Sequence, residues 1–359
     1  MQRRDFLKGA GVGALTTGGL LAGAPAIASN RRIRWRMVTA WPPNFPIFQE
    51  GVERFAAAVN RMSDGQLTIQ VHAGGQLVPP METFSAVSRG TVQCGHSASY
   101  YWAGRLPAAE FFTTMPFGMN THEMNAWFHA GDGLELWREV YAASNLIPLP
   151  LGNTGAQTGG WFKKSIDSVD DLRGLKIRMP GIGGRVMARA GATPVLLAGG
   201  EIYTAFERGV VDAVEWVGPY FDMRLGLHEI SKACYYPGWQ EPCGATELII
   251  HRGAWEGLPA ELQQVVTAAA AQEDLWMQAQ FAARNREALR ELTESHGVTL
   301  HRFPDDVLDA LRVATTEVVE EQAARDPLYR KVKEGYEQFQ RELTPWHAIS
   351  EAEVFRLRG

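Results

Sequence analysis

Ile33-Arg34-Trp35-Arg36-Met37-Val38, closed off by Pro42-Pro43, is followed by a run from Ile47 to Met62 and then by Leu67-Thr68-Ile69-Gln70-Val71. These three pieces decide the fold class. The first and third alternate apolar and polar residues, the period of a strand with one face buried. Between them Ile47, Phe48, Val52, Phe55, Ala56 and Val59 recur at helical spacing, and Ser63-Asp64-Gly65 turns the chain back. Strand, helix and strand within about 40 residues form a βαβ unit, which implies a parallel sheet in an α/β protein.

The pattern continues on both sides. A helix is expected from Met81 to Arg89, stopped by Gly90, with an apolar strand near Val92. In the middle of the chain Leu175-Lys176-Ile177-Arg178-Met179 reads as a strand and Gly183 to Gly191 as a short helix. Ile202 to Arg208 reads as a second helix ending at Gly209, and Val211 to Val217 as another strand. From Ala260 to His296 there is neither Gly nor Pro, and Leu262, Val265, Val266, Ala269, Met277, Phe281 and Leu292 form a helical stripe. One unbroken helix there would be roughly 55 Å long at ~1.5 Å per residue, so it runs along two domains or is kinked. Two more helical segments follow, near 304–324 and 328–341.

The chain has 359 residues, 45% hydrophobic and 21% charged, which at roughly 100–200 residues per domain suggests two domains. With 40 acidic and 35 basic residues, no concentrated basic surface is available for nucleic acid. The N-terminus is an address. Arg3-Arg4-Asp5-Phe6-Leu7-Lys8 precedes a weakly apolar, Gly- and Ala-rich run that ends Ala26-Ile27-Ala28, so residues 1–28 read as a twin-arginine signal peptide. Three basic residues and one acid leave with it, so 35 basic and 40 acidic become 32 and 39, a mature charge of −7. In an oxidising compartment Cys234 and Cys243 either pair or stay as buried thiols, with Cys94 apart.

Enzyme motifs are absent: there is no GxSxG, HExxH or P-loop. Gly181-Ile182-Gly183-Gly184 opens a helix after a strand, but Val186 stands where the third glycine of a dinucleotide loop belongs, so a tight turn explains it. More telling are polar groups set in apolar or Gly-rich strings at strand ends. Arg178 lies between Ile177 and Met179 before a Pro-Gly loop, placed to offer a two-donor fork to a carboxylate or to pair with an internal acid. Glu215 ends an apolar strand beside Trp216, and core packing does not account for it. Asn153, Gln157 and Trp161 crowd the Gly-punctuated segment 152–162 where one half of the chain passes to the other. His96, after a strand in a small-residue loop with Ser97, could line a cleft.

Two strings carry a family resemblance. Asp171-Leu172-Arg173-Gly174-Leu175-Lys176-Ile177-Arg178 and Gly200-Glu201-Ile202-Tyr203-Thr204-Ala205-Phe206-Glu207-Arg208-Gly209-Val210-Val211-Asp212-Ala213 resemble the extracytoplasmic solute-binding proteins of tripartite ATP-independent periplasmic (TRAP) transporters. Segments 152–162, 215–220 and 235–241 are similar to the branch that binds 2-oxo and 2-hydroxy monocarboxylates with a metal ion. The resemblance implies a two-domain α/β periplasmic binding protein fold with a ligand cleft between domains and a long domain-spanning helix. It divides the mature chain into 31–155 with about 245–258, then 156–244, a connecting helix over 259–300 and C-terminal helices over 301–359. It further implies that Arg178 holds the substrate carboxylate, that Gln157, Glu215, the Trp216 carbonyl and Glu241 hold Na⁺ or Ca²⁺, and that Tyr100, Tyr101, His96, Ser97 and Asn153 line the pocket. A membrane permease as partner, periplasmic location and a homodimer formed through C-terminal helices follow from the same resemblance, and no catalysis. An exported cofactor-dependent oxidoreductase, or a binding protein feeding a sensor, are the alternatives. The sequence departs from the branch at Tyr100-Tyr101-Trp102-Ala103-Gly104 and around Gln240-Glu241-Pro242-Cys243.

Overall fold

A computed structural model describes residues 32–358. The signal-peptide reading therefore lies outside the described residues. In chain order the strands are β1 (Ile33–Thr39), β2 (Leu67–His72), β3 (Cys94–Ser97), β4 (Leu146–Asn153), β5 (Gly160–Phe162) and β6 (Lys176–Arg178). They continue with β7 (Thr193–Val195), β8 (Ala213–Val214), β9 (Ala233–Tyr236), β10 (Ala245–His251) and β11 (Thr299–Arg302). They form two sheets. The first has the order β2-β1-β3-β10-β4 and the second β11-β9-β5-β8-β6-β7.

The opening βαβ unit is as the period dictates: β1 pairs parallel with β2 around the helix Phe48–Met62, whose Val52, Phe55 and Val59 are fully buried. β10 returns from the second half of the chain and inserts antiparallel between β3 and β4. The first sheet is thus completed by a distant segment. Together with β4, which leads out toward β5, it makes a double crossing between the two sheets. The helix Ala260–Glu294 is unbroken over 35 residues, about 52 Å at ~1.5 Å per residue. It packs on β4 and the Phe48–Met62 helix at one end and on the short helix Pro219–Arg224 at the other, so it runs along both sheets. Arg185, on the helix Gly181–Arg189 after β6, donates from Nη1 to Oε1 of the buried Glu110 at 2.6 Å and ties the second sheet's helices to the 107–112 turn of the first.

Several elements differ from the sequence reading. The strand near Val92 starts at Cys94, because Val92 sits in a turn, buried against the core. The expected strand Val211–Val217 pairs only over Ala213–Val214; beyond it the Glu215 N–H donates to the Arg178 carbonyl and the chain leaves the sheet. The penultimate helix runs to Ile349 with Pro345 inside it, and a further helix, Glu351–Arg358, follows. Cys94, Cys234 and Cys243 are all free and buried, so Cys234 and Cys243 do not pair. No helix among the described residues is long and apolar enough to cross a membrane.

Candidate ligand-binding site

Arg178 closes the three-residue strand β6, flanked by β8 and β7, and its side chain is wholly buried. A buried guanidinium must find acceptors or leave donors starved at a cost of a few kcal/mol. Here the demand is half met. Nη1 donates to the Glu215 carbonyl oxygen at 2.7 Å and lies 3.3 Å from Glu215 Oε2. The guanidinium carbon stands 4.9 Å from the Trp216 ring centroid. Nε and Nη2, side by side on one edge of the guanidinium, have no partner. That edge is the two-donor fork that fits a carboxylate.

Acceptors nearby are starved in turn. Glu215 Oε1 is buried and unpartnered, and so is Gln157 Oε1. The Gln157 amide is oriented by its nitrogen, which donates to Glu241 Oε2 at 2.6 Å and to Thr154 Oγ1 at 3.0 Å, leaving the oxygen free. The Trp216 carbonyl accepts no hydrogen bond among the described residues. Asn153 spends its oxygen on Thr121 Oγ1 and the Gly155 and Gly244 amides, and keeps an unpartnered Nδ2 donor.

The charges are out of balance. Glu215 and Glu241 are both buried beside a single arginine. Burial pushes the Glu215 carboxyl up to about 8, against the pull of Arg178. Burial, followed by the neighbouring Glu215, holds Glu241 well above the usual carboxylate range, again opposed by Arg178. Two oxyanions with one cation between them are kept ionised only if a second positive charge arrives. Free oxygens from a carboxylate, an amide and a peptide carbonyl are hard donors suited to Na⁺ or Ca²⁺. Among the described residues there is no cluster of three or more His, Cys, Asp or Glu.

The structure brings Arg178, Glu215, Trp216, Gln157 and Glu241 into one cluster. A narrow pocket beside it is lined by Tyr100, Tyr101, Gln157 and Trp216, with Trp41 and Phe48 as an apolar wall. His96 and Ser97 do not line that pocket. His96 accepts the Trp41 indole N–H on Nδ1 at 2.5 Å, which leaves the proton on Nε2 to be donated to the Leu151 carbonyl at 2.7 Å. Burial pulls this imidazole down to about 4, so it stays neutral and serves to hold Trp41. Sequence reasoning missed Trp41, Phe48, Thr113 and Thr154. Trp41 precedes Pro42-Pro43, and that pair signalled only the end of a strand.

A polar cluster buried between two mixed sheets, joined by crossing strands and a shared helix, defines a two-domain solute-binding protein. The model of the bacterial extracellular solute-binding protein family 7 (DctP) matches residues 37–326. The chain is 40% identical over 361 residues to a monocarboxylate 2-oxoacid-binding periplasmic protein of Nostoc sp., covering 98% of this chain and 97% of that one. A TRAP periplasmic solute-binding protein from Colwellia psychrerythraea, solved with bound calcium and pyruvate, superposes with a TM-score of 0.89 at 39% identity, covering 91% of this chain and 99% of that one. One from Pseudoalteromonas atlantica T6c, solved with bound sodium and pyruvate, gives the same figures. The chain belongs to the bacterial extracellular solute-binding protein family 7, and it is a TRAP-type solute-binding protein.

Proposed function

We propose that this protein captures a small 2-oxo or 2-hydroxy monocarboxylate together with Na⁺ or Ca²⁺ in the periplasm and delivers it, unchanged, to its membrane permease. The observation that carries the reading is the half-satisfied Arg178: a wholly buried guanidinium with one edge of paired donors free, in the same cluster as unpartnered carboxylate and amide oxygens. The Arg178 fork takes the acid's carboxylate. Glu215 Oε1, Gln157 Oε1 and the Trp216 carbonyl hold the cation, with Glu241 held behind Gln157. The cation, when bound, neutralises the excess acidic charge and offers positions for the acid's own oxygens. Tyr100 and Tyr101 border the pocket, while Asn153 lies outside its lining and keeps an unpartnered Nδ2 donor. Support for a monocarboxylate comes from the 2-oxoacid-binding relative and the two pyruvate-bound structures.

The lobes in this reading are 31–155 with about 245–258, and 156–244, spanned by the helix after Pro259. Export by the twin-arginine route rests on Arg3-Arg4 and the small residues at Ala26 and Ala28. A homodimer rests on the apolar side chains exposed at the C-terminus. Calorimetric or thermal-shift titration with pyruvate, longer 2-oxo acids and lactate, set against succinate and a sugar acid, tests the ligand class. A monocarboxylate at 100 times its Kd adds about 2.7 kcal/mol to native stability. Stabilisation by the dicarboxylate or the sugar acid alone would overturn the assignment.

A further inference from the structure

Asp222 is buried and saturated with hydrogen bonds, and two of its four partners, Thr158 and Val217, stand next to residues assigned to the cation. It sits on the helix Pro219–Arg224 with no exposed surface. Oδ1 accepts the Val217 N–H at 3.2 Å and the Gly218 N–H at 3.1 Å. Oδ2 accepts the Trp161 indole N–H at 2.8 Å and the Thr158 hydroxyl at 3.3 Å. Capping the start of its own helix accounts for the Gly218 bond. It does not account for the other three.

We propose that Asp222 is a positioning residue that aims the cation donors of both segments, 157–158 and 216–217. The inference rests on the reading of the site given above. Its physical core is the planarity of the peptide bond. The N–H of Val217 and the C=O of Trp216 belong to one rigid trans unit and point in opposite directions. A carboxylate that fixes the N–H therefore fixes the direction of the carbonyl oxygen assigned to the cation. It also polarises that unit, because an anion on the N–H side increases the negative charge on the carbonyl oxygen.

The second segment is tied in the same way. The Thr158 N–H, which shares its peptide unit with the Gln157 carbonyl, donates to the Val217 carbonyl at 3.2 Å, while the Thr158 hydroxyl reaches Asp222. The Gln157 N–H donates to the Glu241 carbonyl at 3.1 Å. Gln157 is thus gripped on both sides, and one of the grips runs through Asp222. With its own oxygens spent on four donors, Asp222 orients the site and does not ligate the ion.

The test is calorimetric titration of Ca²⁺ in saturating pyruvate, beside thermal unfolding of the metal-free protein. Asp222→Asn is isosteric, but its amide group turns an N–H₂ toward donors that need an acceptor. It is expected to weaken Ca²⁺ by about 10–100-fold, the usual effect of losing a partner that orients a metal ligand. Thr158→Val, which cuts only the hydroxyl tie, is expected to weaken it several-fold and covers the case of a poorly folding Asn variant. Trp161→Phe removes one donor yet leaves the carboxylate on Val217, so its Ca²⁺ affinity should stay within about threefold of wild type while its unfolding midpoint falls. A Ca²⁺ affinity unchanged in Asp222→Asn, with only the metal-free midpoint lowered, would make Asp222 a structural residue and overturn the proposal. Equal losses in Asp222→Asn and Trp161→Phe would overturn it too. Absence of Ca²⁺ binding in wild type would instead overturn the functional reading beneath it.

Discussion

Arg178 concentrates the account at the residue scale. Its Nη1 is bound to the chain itself, so ligand recognition is left to the Nε and Nη2 edge. Lysine brings the charge but not the edge, since one ammonium group cannot reproduce two coplanar donors while also holding Glu215. Arg178→Lys should therefore lose about 100-fold in pyruvate affinity, the value of two charge-assisted hydrogen bonds at ~1.5 kcal/mol each. Calorimetry on a variant of wild-type unfolding midpoint measures this, and affinity within twofold of wild type would make Arg178 a structural cation. Arg178 and Glu215 were legible in the sequence because charged residues inside apolar strings have no packing explanation. The part played by His96 was not. Its bond to Trp41 spans 55 residues, and nothing local distinguishes a histidine that holds a tryptophan from one that faces a ligand.

Elements placed the site through departures from regularity. β8 is only two residues long because Glu215 and Trp216 turn out of the ladder toward Arg178, where a strictly periodic reading continues the strand. The late insertion of β10 between β3 and β4 was likewise invisible to periodicity, which says that a strand exists but not where it pairs. β10 also carries Glu247, which joins three elements: it accepts the Trp102 indole N–H at 2.6 Å and the Tyr141 hydroxyl at 2.7 Å from the helix Gly133–Ala142. Burial pushes this carboxyl from 4.5 up to about 7, against those two donors. Between these values the folded chain keeps a proton that the unfolded chain has released. The contribution is complete below pH 4.5 and is lost as pH rises through 7, on the order of 3 kcal/mol in all. Glu247→Gln mimics the protonated carboxyl, so its denaturant midpoint should fall less steeply than that of wild type between pH 4.5 and 7. Identical pH slopes would show that the Glu247 carboxyl does not titrate there.

The whole molecule is two sheets held by crossing strands and one long helix. The Gly- and Pro-free run from Ala260 announced that helix, and its length left two outcomes, a kink or a helix lying along both halves; it is unbroken over 35 residues. The chain's end was less legible: Trp346, Ile349, Phe355 and Leu357 are 61–74% exposed on the last two helices, a density of bare apolar surface that a soluble monomer rarely keeps. A homodimer is expected by light scattering at tens of micromolar, and truncation after Thr344 should return a monomer that still binds ligand. A full-length chain that stays monomeric would contradict this.

The central claim is that acid and cation bind as one unit, and it follows from the excess of buried carboxylates over Arg178. Above pH 8, the value to which burial pushes the Glu215 carboxyl, an anionic ligand brought about 4 Å from the ionised group costs on the order of 4 kcal/mol at an effective dielectric of ~20, roughly a thousandfold in affinity. The direct test is pyruvate titration above pH 8, where Glu215 is ionised without the ion, after exhaustive chelation in sodium-free buffer, followed by the same titration with Na⁺ or Ca²⁺ restored. The account predicts that binding weakens by two to three orders of magnitude without the ion and returns with it. Undiminished affinity in the metal-free protein would contradict the account.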